Sequence, residues 1–259
     1  MRIAVLLKEV PDTYGDRGLN LETGLTDRTG DVVADEVGER AVEAALRVAE
    51  AHPDGDATVE ILSVGPESTV GSIRKGIAMG AAEAYLVTDD ALVGADYTLT
   101  AEVLAALITR NGYDLVVAGA SSSDGAGGVV ASLLAEMLGV PALTNLTELE
   151  VAGGVVRATQ AGDGAVVKLE AELPAVVAVS DEFPDARFAN FKGLMAAKKK
   201  EIHAVGLSDL GIDPEDWTPA RAIVIDAAKR PARGRGEIID GNSQAAAKLA
   251  DFLAEKNFI

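Results

Sequence analysis

Residues 115–130 read LVVAGASSSDGAGGVV, and this stretch decides the fold class. Leu115–Ala118 is an apolar run without alternation, which predicts a strand buried on both faces. The loop Gly119–Gly128 is rich in glycine and serine, and Val129–Leu138 has the apolar spacing of a helix. Open α/β sheets bind ligands where a strand ends and the chain turns into a helix. The stretch therefore predicts an α/β fold with a ligand site at this loop.

The same strand–helix alternation fills the first half of the chain. Buried strands are predicted at Ile3–Leu7, Val59–Val64 and Tyr85–Val87. Helices are predicted around Val37–Val48, from a cap at Ser68 to Met79, and over Tyr97–Arg110. Units of this length join parallel strands by right-handed crossovers. We therefore expect a mostly parallel, doubly wound, Rossmann-like sheet.

The second half of the chain has a different rhythm. Glu148–Val151 and Val155–Thr159 flank two glycines and predict a hairpin. Further extended segments at Ala165–Leu173 and Ala175–Val179 predict an antiparallel portion of the sheet, and Asp181–Lys200 has no sustained period. A final helix, Asn242–Lys256, follows a Pro/Gly/Arg linker and predicts an extended C-terminal arm. We expect two domains, an α/β domain over 1–234 and an arm over 235–259.

Composition excludes several function classes. Among 259 residues, 41 Asp and Glu outnumber 23 Lys and Arg, and the net charge is −18. Such a balance disfavours nucleic acid and anionic membranes as partners. The chain has no cysteine, which excludes disulfides, iron–sulfur clusters and cysteine nucleophiles, and two histidines are too few for a histidine-rich metal site. With no apolar run of membrane-spanning length, we expect a cytoplasmic protein without direct membrane insertion.

The glycine-rich loop has two interpretations. Glycines let backbone amides approach a phosphate, and a following helix N-terminus supplies positive potential. We therefore expect a phosphate on the amides near Gly125–Gly128. The loop has neither the G-x-G-x-x-G nor the Walker pattern, which excludes the usual dinucleotide and P-loop modes. The alternative interpretation is a flexible surface connection.

A lysine cluster ends the irregular segment. Lys198, Lys199 and Lys200 are three consecutive cations in an acidic chain. They fit either a helix C-terminus, where cations are favourable, or a docking edge for an acidic partner. The preceding Phe188, Phe191, Leu194 and Met195 are apolar side chains in a loop, which favours a protein-binding surface.

Several ordered stretches resemble the electron transfer flavoprotein β-subunit family over essentially the full length. They are VLLKEVPDT at 5–13, DEVGERAVE at 35–43, SVGP at 63–66, IRKGIAMGA at 73–81, LPAVV at 173–177 and RFANFKGLMAAKKK at 187–200. The last of these, joined to LPAVV, is the most specific.

The resemblance implies a heterodimer with an electron transfer flavoprotein α subunit. It implies one FAD, held mainly by the α subunit, and one AMP of structural role in this chain. Electrons would come from acyl-CoA dehydrogenases and other flavin dehydrogenases and pass to an acceptor such as a quinone oxidoreductase. The chain itself would be a carrier subunit without bond chemistry, and the arm 235–259 would contact the α subunit.

The resemblance also assigns residues. AMP contacts fall on Leu6, Asp35, Glu36, Val37, Gly38, Val64, Gly119, Ala120, Ser121, Ser122, Ser123, Asp124, Gly125, Ala126, Gly127, Gly128, Val129 and Val130. Dehydrogenase recognition falls on the segment 189–200, through Phe191 as the apolar anchor with Leu194, Met195, Lys198, Lys199 and Lys200. The turn Pro11–Tyr14 would approach the flavin ring. No catalytic residue and no metal ligand is expected.

Two positions depart from the family pattern. Residues 119–124 read GASSSD where many members have GKQAID, so some AMP contacts must differ. Asp35 stands where the family often has Asn, and an ionised carboxylate cannot donate a hydrogen bond and repels phosphate. We therefore expect Asp35 to contact base or ribose, or to cap a helix.

Two other function classes stay open from the residues alone. An adenine-nucleotide hydrolase or adenylating enzyme would need a metal-binding carboxylate or a catalytic lysine at the phosphates, and the loop offers only Asp124. A nucleotide-sensing module would need neither the segment 189–200 nor the C-terminal helix.

Overall fold

The computed structural model describes residues 1–52, 55–241 and 243–259. The strands are β1 (Arg2–Leu6), β2 (Glu9–Pro11), β3 (Val32–Ala34), β4 (Thr58–Val64), β5 (Glu83–Val87), β6 (Leu115–Gly119), β7 (Ala142–Ala152), β8 (Val155–Gly162), β9 (Ala165–Glu172), β10 (Ala175–Val179) and β11 (Ile202–Val205). The helices are α1 (Glu36–Ala51), α2 (Val70–Met79), α3 (Tyr97–Asn111), α4 (Val130–Leu138), α5 (Phe191–Ala197), α6 (Leu207–Leu210) and α7 (Ala245–Glu255).

A nine-stranded sheet in the order β11-β5-β4-β1-β6-β10-β7-β8-β9 organises the fold. Every pair from β11 to β7 is parallel. The pairs β7–β8 and β8–β9 are antiparallel, and β2–β3 is a separate antiparallel ribbon. The predicted α/β class, with a mostly parallel sheet and an antiparallel portion, is confirmed.

The chain crosses from one side of β1 to the other between β5 and β6. After β1 it adds β4 and then β5 on one side, and β6 then pairs with the opposite edge of β1. Connections that leave two neighbouring parallel strands in opposite directions open a crevice at their carboxyl ends. The crevice between β1 and β6 is where the glycine-rich loop begins.

Two apolar layers cover the sheet. Residues of α1 and α2 pack with Ile3 and Val5 on one face, and residues of α3 and α4 pack with Ala4 on the other. These three β1 side chains are fully buried. Burial on both faces is why the parallel strands are continuous apolar runs rather than alternating ones.

Three local predictions need correction or a narrower statement. Ser68 does not cap α2, because residues 67–69 form a 3-10 turn and the α-helix begins at Val70. The segment 181–200, predicted to be irregular, contains α5, which is begun by the side chain of Asn190 accepting from the amide of Gly193 at 2.8 Å. The C-terminal helix was predicted from Asn242; that residue lies outside the described residues, and α7 begins at Ala245.

The described chain divides into two compact units, 1–227 and 228–259. The second unit contains α7, and each residue of that helix is at least partly exposed. The division at 234 and the partner contact of the arm stay predictions. Within the described part of the chain, every helix is too short or too polar to cross a lipid bilayer.

The packing of α2 on the sheet gives a test of the fold. A Cβ at Gly76 would lie 2.5 Å from Ile61 Cδ1 and 3.1 Å from Leu7 Cδ2, whereas a Cβ at Gly71 on the same helix meets nothing within 4 Å. We expect Gly76→Val to lower the free energy of unfolding by about 1–3 kcal/mol through overpacking. Gly71→Val is the matched control and should change it little. Urea denaturation of both variants measures the difference, and equal stabilities would contradict this packing.

Candidate functional site

A buried carboxylate joins two elements at the crevice. Asp35 is 3% exposed and precedes α1. Its Oδ2 accepts a hydrogen bond from the amide of Gly38 at 3.2 Å, and its Oδ1 accepts one from the amide of Ser123 at 2.8 Å. The amide of Asp35 in turn donates to the carbonyl of Lys8 at 2.9 Å. The expected helix cap is confirmed, and the same side chain also fixes the loop after β6.

A second buried carboxylate holds the loop from within. The side chain of Asp124 is 2% exposed and contacts Lys8 Nζ at 2.8 Å and Arg28 Nη2 at 2.7 Å. It also accepts hydrogen bonds from Ser122 Oγ at 2.6 Å and from the amide of Gly125 at 2.7 Å. Burial alone would raise the pKa of Asp124, but the hydrogen bonds from Lys8 and Ser122 outweigh it and hold the pKa well below its usual range. Asp124 is therefore a charged structural residue of the loop.

The pairing of Asp124 with Lys8 and Arg28 weighs against the adenine-nucleotide hydrolase alternative. Asp124, the only carboxylate that the loop offers to a metal, is already paired with two cations. In the ranges 1–52, 55–241 and 243–259, no group of histidine, aspartate and glutamate side chains is arranged to hold a metal ion.

The loop amides are only partly available to a ligand. The amides of Gly125 and Ala126 donate within the loop, to Asp124 and to the carbonyl of Ser122. In the described part of the chain, the amides of residues 127–130 donate no hydrogen bond. The stretch Gly125–Gly128, predicted to hold a phosphate, therefore has open amides only in its second half and at the start of α4.

Two glycines of the loop lie close to neighbouring elements. A Cβ at Gly119 would lie 3.1 Å from the carbonyl carbon of Val37 and 3.2 Å from the nitrogen of Gly38, so the end of β6 touches the first turn of α1. A Cβ at Gly127 would lie 2.3 Å from the Tyr97 hydroxyl oxygen. Gly127 thus lies against the ring of Tyr97 at the start of α3, a contact that the sequence interpretation did not include.

An open cleft of about 500 Å³ lies beside the loop. Its lining combines apolar side chains with hydroxyl, amide and carboxylate groups: Val10, Asp12, Thr13, Tyr14, Val33, Ala34, Asp35, Glu36, Val37, Glu39, Lys75, Ala120, Ser121, Ser122, Ser123, Ala126, Asn145, Ser180 and Asp181. Lys75 Nζ, the cation of this lining, is paired with Glu39. The volume is in the range of small-molecule sites, and the charge of the lining is negative.

The structure brings eight of the predicted cofactor residues to this cleft. They are Asp35, Glu36, Val37, Ala120, Ser121, Ser122, Ser123 and Ala126. The others are not among its lining residues: Leu6, Gly38, Val64, Gly119, Asp124, Gly125, Gly127, Gly128, Val129 and Val130. Leu6 and Val64, for example, pack against the apolar layer of α3 and α4.

The sequence interpretation missed the contribution of β7 and β10. Asn145 lies in β7 with a φ of 55°, a left-handed conformation with no signature in the surrounding sequence. Ser180 and Asp181 directly follow β10, which pairs with β6. Because carboxyl ends of neighbouring parallel strands share one edge of the sheet, the position of these two residues could have been found had the strand order been known.

The predicted recognition segment forms α5 and its approach. Phe188 is 99% and Phe191 78% exposed, and Leu194 and Met195 are also exposed. A Cβ at Gly193 would lie 2.3 Å from the carbonyl oxygen of Ala78, so α5 is in backbone contact with the end of α2. One face of α5 therefore packs on α2, and the apolar side chains of the other face are exposed to solvent.

The three lysines differ in their surroundings. Lys198 and Lys199 are exposed. Lys200 Nζ donates to the carbonyls of Ala82 at 2.6 Å and Ala81 at 3.2 Å. In this structure Lys200 binds the chain after α2, and the exposed cations of the cluster are Lys198 and Lys199.

Comparison with known proteins identifies the family of this chain. The family model "Electron transfer flavoprotein domain" matches residues 23–210. The "Electron transfer flavoprotein subunit beta" of Mycobacterium leprae (strain TN) is 40% identical over 99% of both chains, and that of Bacillus subtilis (strain 168) is 30% identical over 96% of this chain and 95% of the relative. The chain belongs to the electron transfer flavoprotein β-subunit family.

The family membership confirms the resemblance found in the sequence. A further relative is the "Caffeyl-CoA reductase-Etf complex subunit CarD" of Acetobacterium woodii, 32% identical over the whole of both chains. The alignments with these relatives cover between 96% and 100% of this chain.

Asp124 gives a test with a pH signature. We expect Asp124→Asn to lower the free energy of unfolding at pH 7 by about 1–3 kcal/mol, because charged hydrogen bonds are lost and Lys8 and Arg28 are left unpaired. The folded-state pKa of Asp124 is depressed, so its contribution is present above its unfolded pKa of about 3.9 and is lost as the pH falls further. The difference between wild type and variant should therefore shrink below about pH 4.

The control for this experiment is Asp163→Asn in the exposed turn between β8 and β9. It should leave the stability unchanged at both pH values. A difference for Asp124→Asn that is the same at pH 7 and at pH 3 would contradict the charged, buried state of this carboxylate.

Proposed function

We propose that this chain is the β subunit of a heterodimeric electron transfer flavoprotein. In this role it passes electrons from acyl-CoA dehydrogenases and other flavin dehydrogenases to an acceptor such as a quinone oxidoreductase. The observation that carries the proposal is the match, over 99% of both chains, to a relative named electron transfer flavoprotein subunit beta. The chain itself makes and breaks no covalent bond in this proposal.

The cleft beside the loop is the proposed AMP site. Val33 and Val37 offer an apolar surface for a base, and Ser121 offers a hydroxyl group. The unpaired amides of residues 127–130, at the start of α4, suit a single phosphate. Asp35 is fully engaged with two backbone amides and would hold the walls of the site in place.

The charge of the cleft supports a ligand of low negative charge. Lys8 and Arg28 are paired with Asp124, and Lys75 is paired with Glu39. A nucleoside diphosphate or triphosphate would meet stronger repulsion from the surrounding carboxylates than AMP does. AMP would therefore fill the cleft and stabilise it.

FAD is proposed to be held mainly by the α subunit and supplies the redox chemistry when it is bound. The turn Pro11–Tyr14 is the part of this chain proposed to lie near the flavin ring. The Tyr14 side chain is 97% exposed and stands at the rim of the cleft, so it is available to cover a ring on a partner. Its role in this proposal is to exclude water from the flavin.

Two further surfaces are proposed for partners. The exposed apolar side chains of α5 would bind the dehydrogenase, with Phe191 as the anchor. The arm 235–259 would contact the α subunit through α7, on which Leu249 and Phe252 are half-exposed.

The AMP proposal is tested by filling the cleft. Ser121→Phe places a ring in the lining, so we expect the AMP released from the purified heterodimer to fall from about one per chain to a small fraction. FAD content should stay near that of wild type. Ser208→Phe, an exposed position in α6, is the control for an added surface ring. Unchanged AMP in the Ser121 variant would rule out this placement.

The docking proposal is tested by Phe191→Ala. Burying the ring in a partner pocket is worth roughly 1.5–3 kcal/mol, so electron transfer from an acyl-CoA dehydrogenase should slow by about tenfold or more at subsaturating concentration. Flavin content and melting temperature should stay near wild type because the ring is exposed in this chain. Stopped-flow flavin reduction measures the rate.

The control is Val166→Ala, another exposed apolar position, on β9. Lys198→Ala and Lys199→Ala should mainly change the dependence of the rate on salt, since exposed charges steer encounter. A Phe191 variant with wild-type kinetics and a lowered melting temperature would show that the ring is a packing residue and that docking lies elsewhere.

A further inference from the structure

One face of α1 carries a row of alternating charges. Arg40, Glu43, Arg47 and Glu50 are three or four residues apart, which places them on one side of the helix. Glu43 is only 3% exposed, and its Oε1 is 2.6 Å from Arg47 Nε. We call these four residues the α1 charge row.

The segment 183–187, which leads from β10 toward α5, lies along this row. Arg40 binds the carbonyl of Phe183, and its Nη2 is 2.6 Å from Asp185 Oδ1. Arg187 spans two turns of the helix, with Nε 2.6 Å from Glu43 Oε2 and Nη2 3.0 Å from Glu50 Oε2. Its amide also donates to Glu43 Oε2 at 3.2 Å.

The pKa shifts of Glu43 and Arg187 both favour the charged forms of this pair. Burial would raise the pKa of Glu43, but the hydrogen bonds from Arg187 and Arg47 lower it to about 2. The hydrogen bonds to Glu50 and Glu43 raise the pKa of Arg187 further above its usual range. Glu43 is buried and paired with two arginines, Arg47 and Arg187. Removing one partner of such a buried pair leaves a charge that is not fully compensated.

The C-terminal end of α5 is held by Arg74. Arg74 Nη1 donates to the carbonyls of Ala197 and Lys200, at 3.3 Å for Lys200. Gly193 touches the Ala78 carbonyl, so the middle of the helix has no room to shift toward α2. Between the Arg187 and Arg74 contacts, Phe188, Phe191 and Leu194 project into solvent.

We propose that Arg187 is a positioning residue for partner docking: its contacts with Glu43 and Glu50 fix the approach to α5, so that Phe188 and Phe191 are held in one orientation before a partner arrives. The inference rests on the proposed docking function of α5. A docking surface that is correctly placed only part of the time binds with an apparent Kd raised by the inverse of that fraction. If the approach is released so that about one-tenth of molecules are competent, the apparent affinity falls by roughly tenfold.

The experiment uses the intact heterodimer with Arg187→Met, which keeps the stem and removes the charge. Its substrate is an acyl-CoA dehydrogenase reduced with octanoyl-CoA. We expect the KM for the dehydrogenase to rise by roughly tenfold, with kcat, AMP content and reduction by dithionite near wild type. Hydrogen exchange of residues 188–197 should become faster. Arg157→Met, which removes an exposed ion pair to Glu170, is the control and should change none of these.

Phe191→Ala, measured in parallel, separates the two proposals. If Phe191→Ala raises KM and Arg187→Met does not, positioning is overturned while docking at α5 stands. If neither raises KM, docking at α5 fails and the positioning role falls with it. If both raise KM, faster hydrogen exchange of residues 188–197 in Arg187→Met supports positioning, because the approach to α5 is then released; a raised KM with wild-type exchange overturns it.

The positioning role can still be tested if the Arg187→Met variant does not fold or assemble normally. If it does not assemble, or if it loses AMP and kcat together, Glu50→Gln replaces it. The Glu50 side chain is 60% exposed, and this substitution removes the charge of only one of the two carboxylates that bind Arg187. A KM raised by a few-fold with kcat unchanged then supports positioning. A wild-type KM in Glu50→Gln overturns it.

Discussion

The contact between the Asp35 carboxylate and two backbone amides sets the geometry on which the rest of this chain depends. One oxygen caps α1 through Gly38, and the other holds the loop after β6 through Ser123. Because β1 and β6 send their connections to opposite sides of the sheet, this contact closes the base of the crevice between them. An asparagine there could offer only one oxygen acceptor, whereas the carboxylate serves both amides. Asp35, whose charge is unfavourable beside a phosphate, therefore holds the backbone on two sides of the site in place.

Helix α1 relates this cleft to the proposed docking surface. Its first turn contacts the loop through Asp35 and Gly38, and its later turns carry Glu43 and Glu50, which bind Arg187. An α-helix of this length is a rigid element about 24 Å long. The two functions proposed for the chain therefore use opposite ends of one helix. In both places basic side chains are paired with buried carboxylates, whereas Lys198 and Lys199 after α5 are exposed.

The sequence predicted the local features well and the distant contacts poorly. Apolar runs such as Leu115–Ala118 and the two glycines of the hairpin carry their structure in their own composition, so the sheet and its antiparallel portion could be found. Helix α5 was missed because seven residues are too few to show a helical period and its position depends on packing against Ala78. The Glu43–Arg187 contact joins residues 144 positions apart, and Asn145 reaches the cleft through the pairing of β7 with β10. Neither leaves a local pattern, and the contact of Gly127 likewise depends on the position of Tyr97.

The most direct test of the account is a count of the nucleotides in the wild-type heterodimer. Denaturing the purified complex and separating the released nucleotides by chromatography gives FAD and AMP per pair of chains. We expect one FAD and one AMP, because the cleft beside residues 120–126 is proposed to hold AMP and the flavin is proposed to be held by the α subunit. Two FAD and no AMP, or one FAD with no second nucleotide, would contradict it.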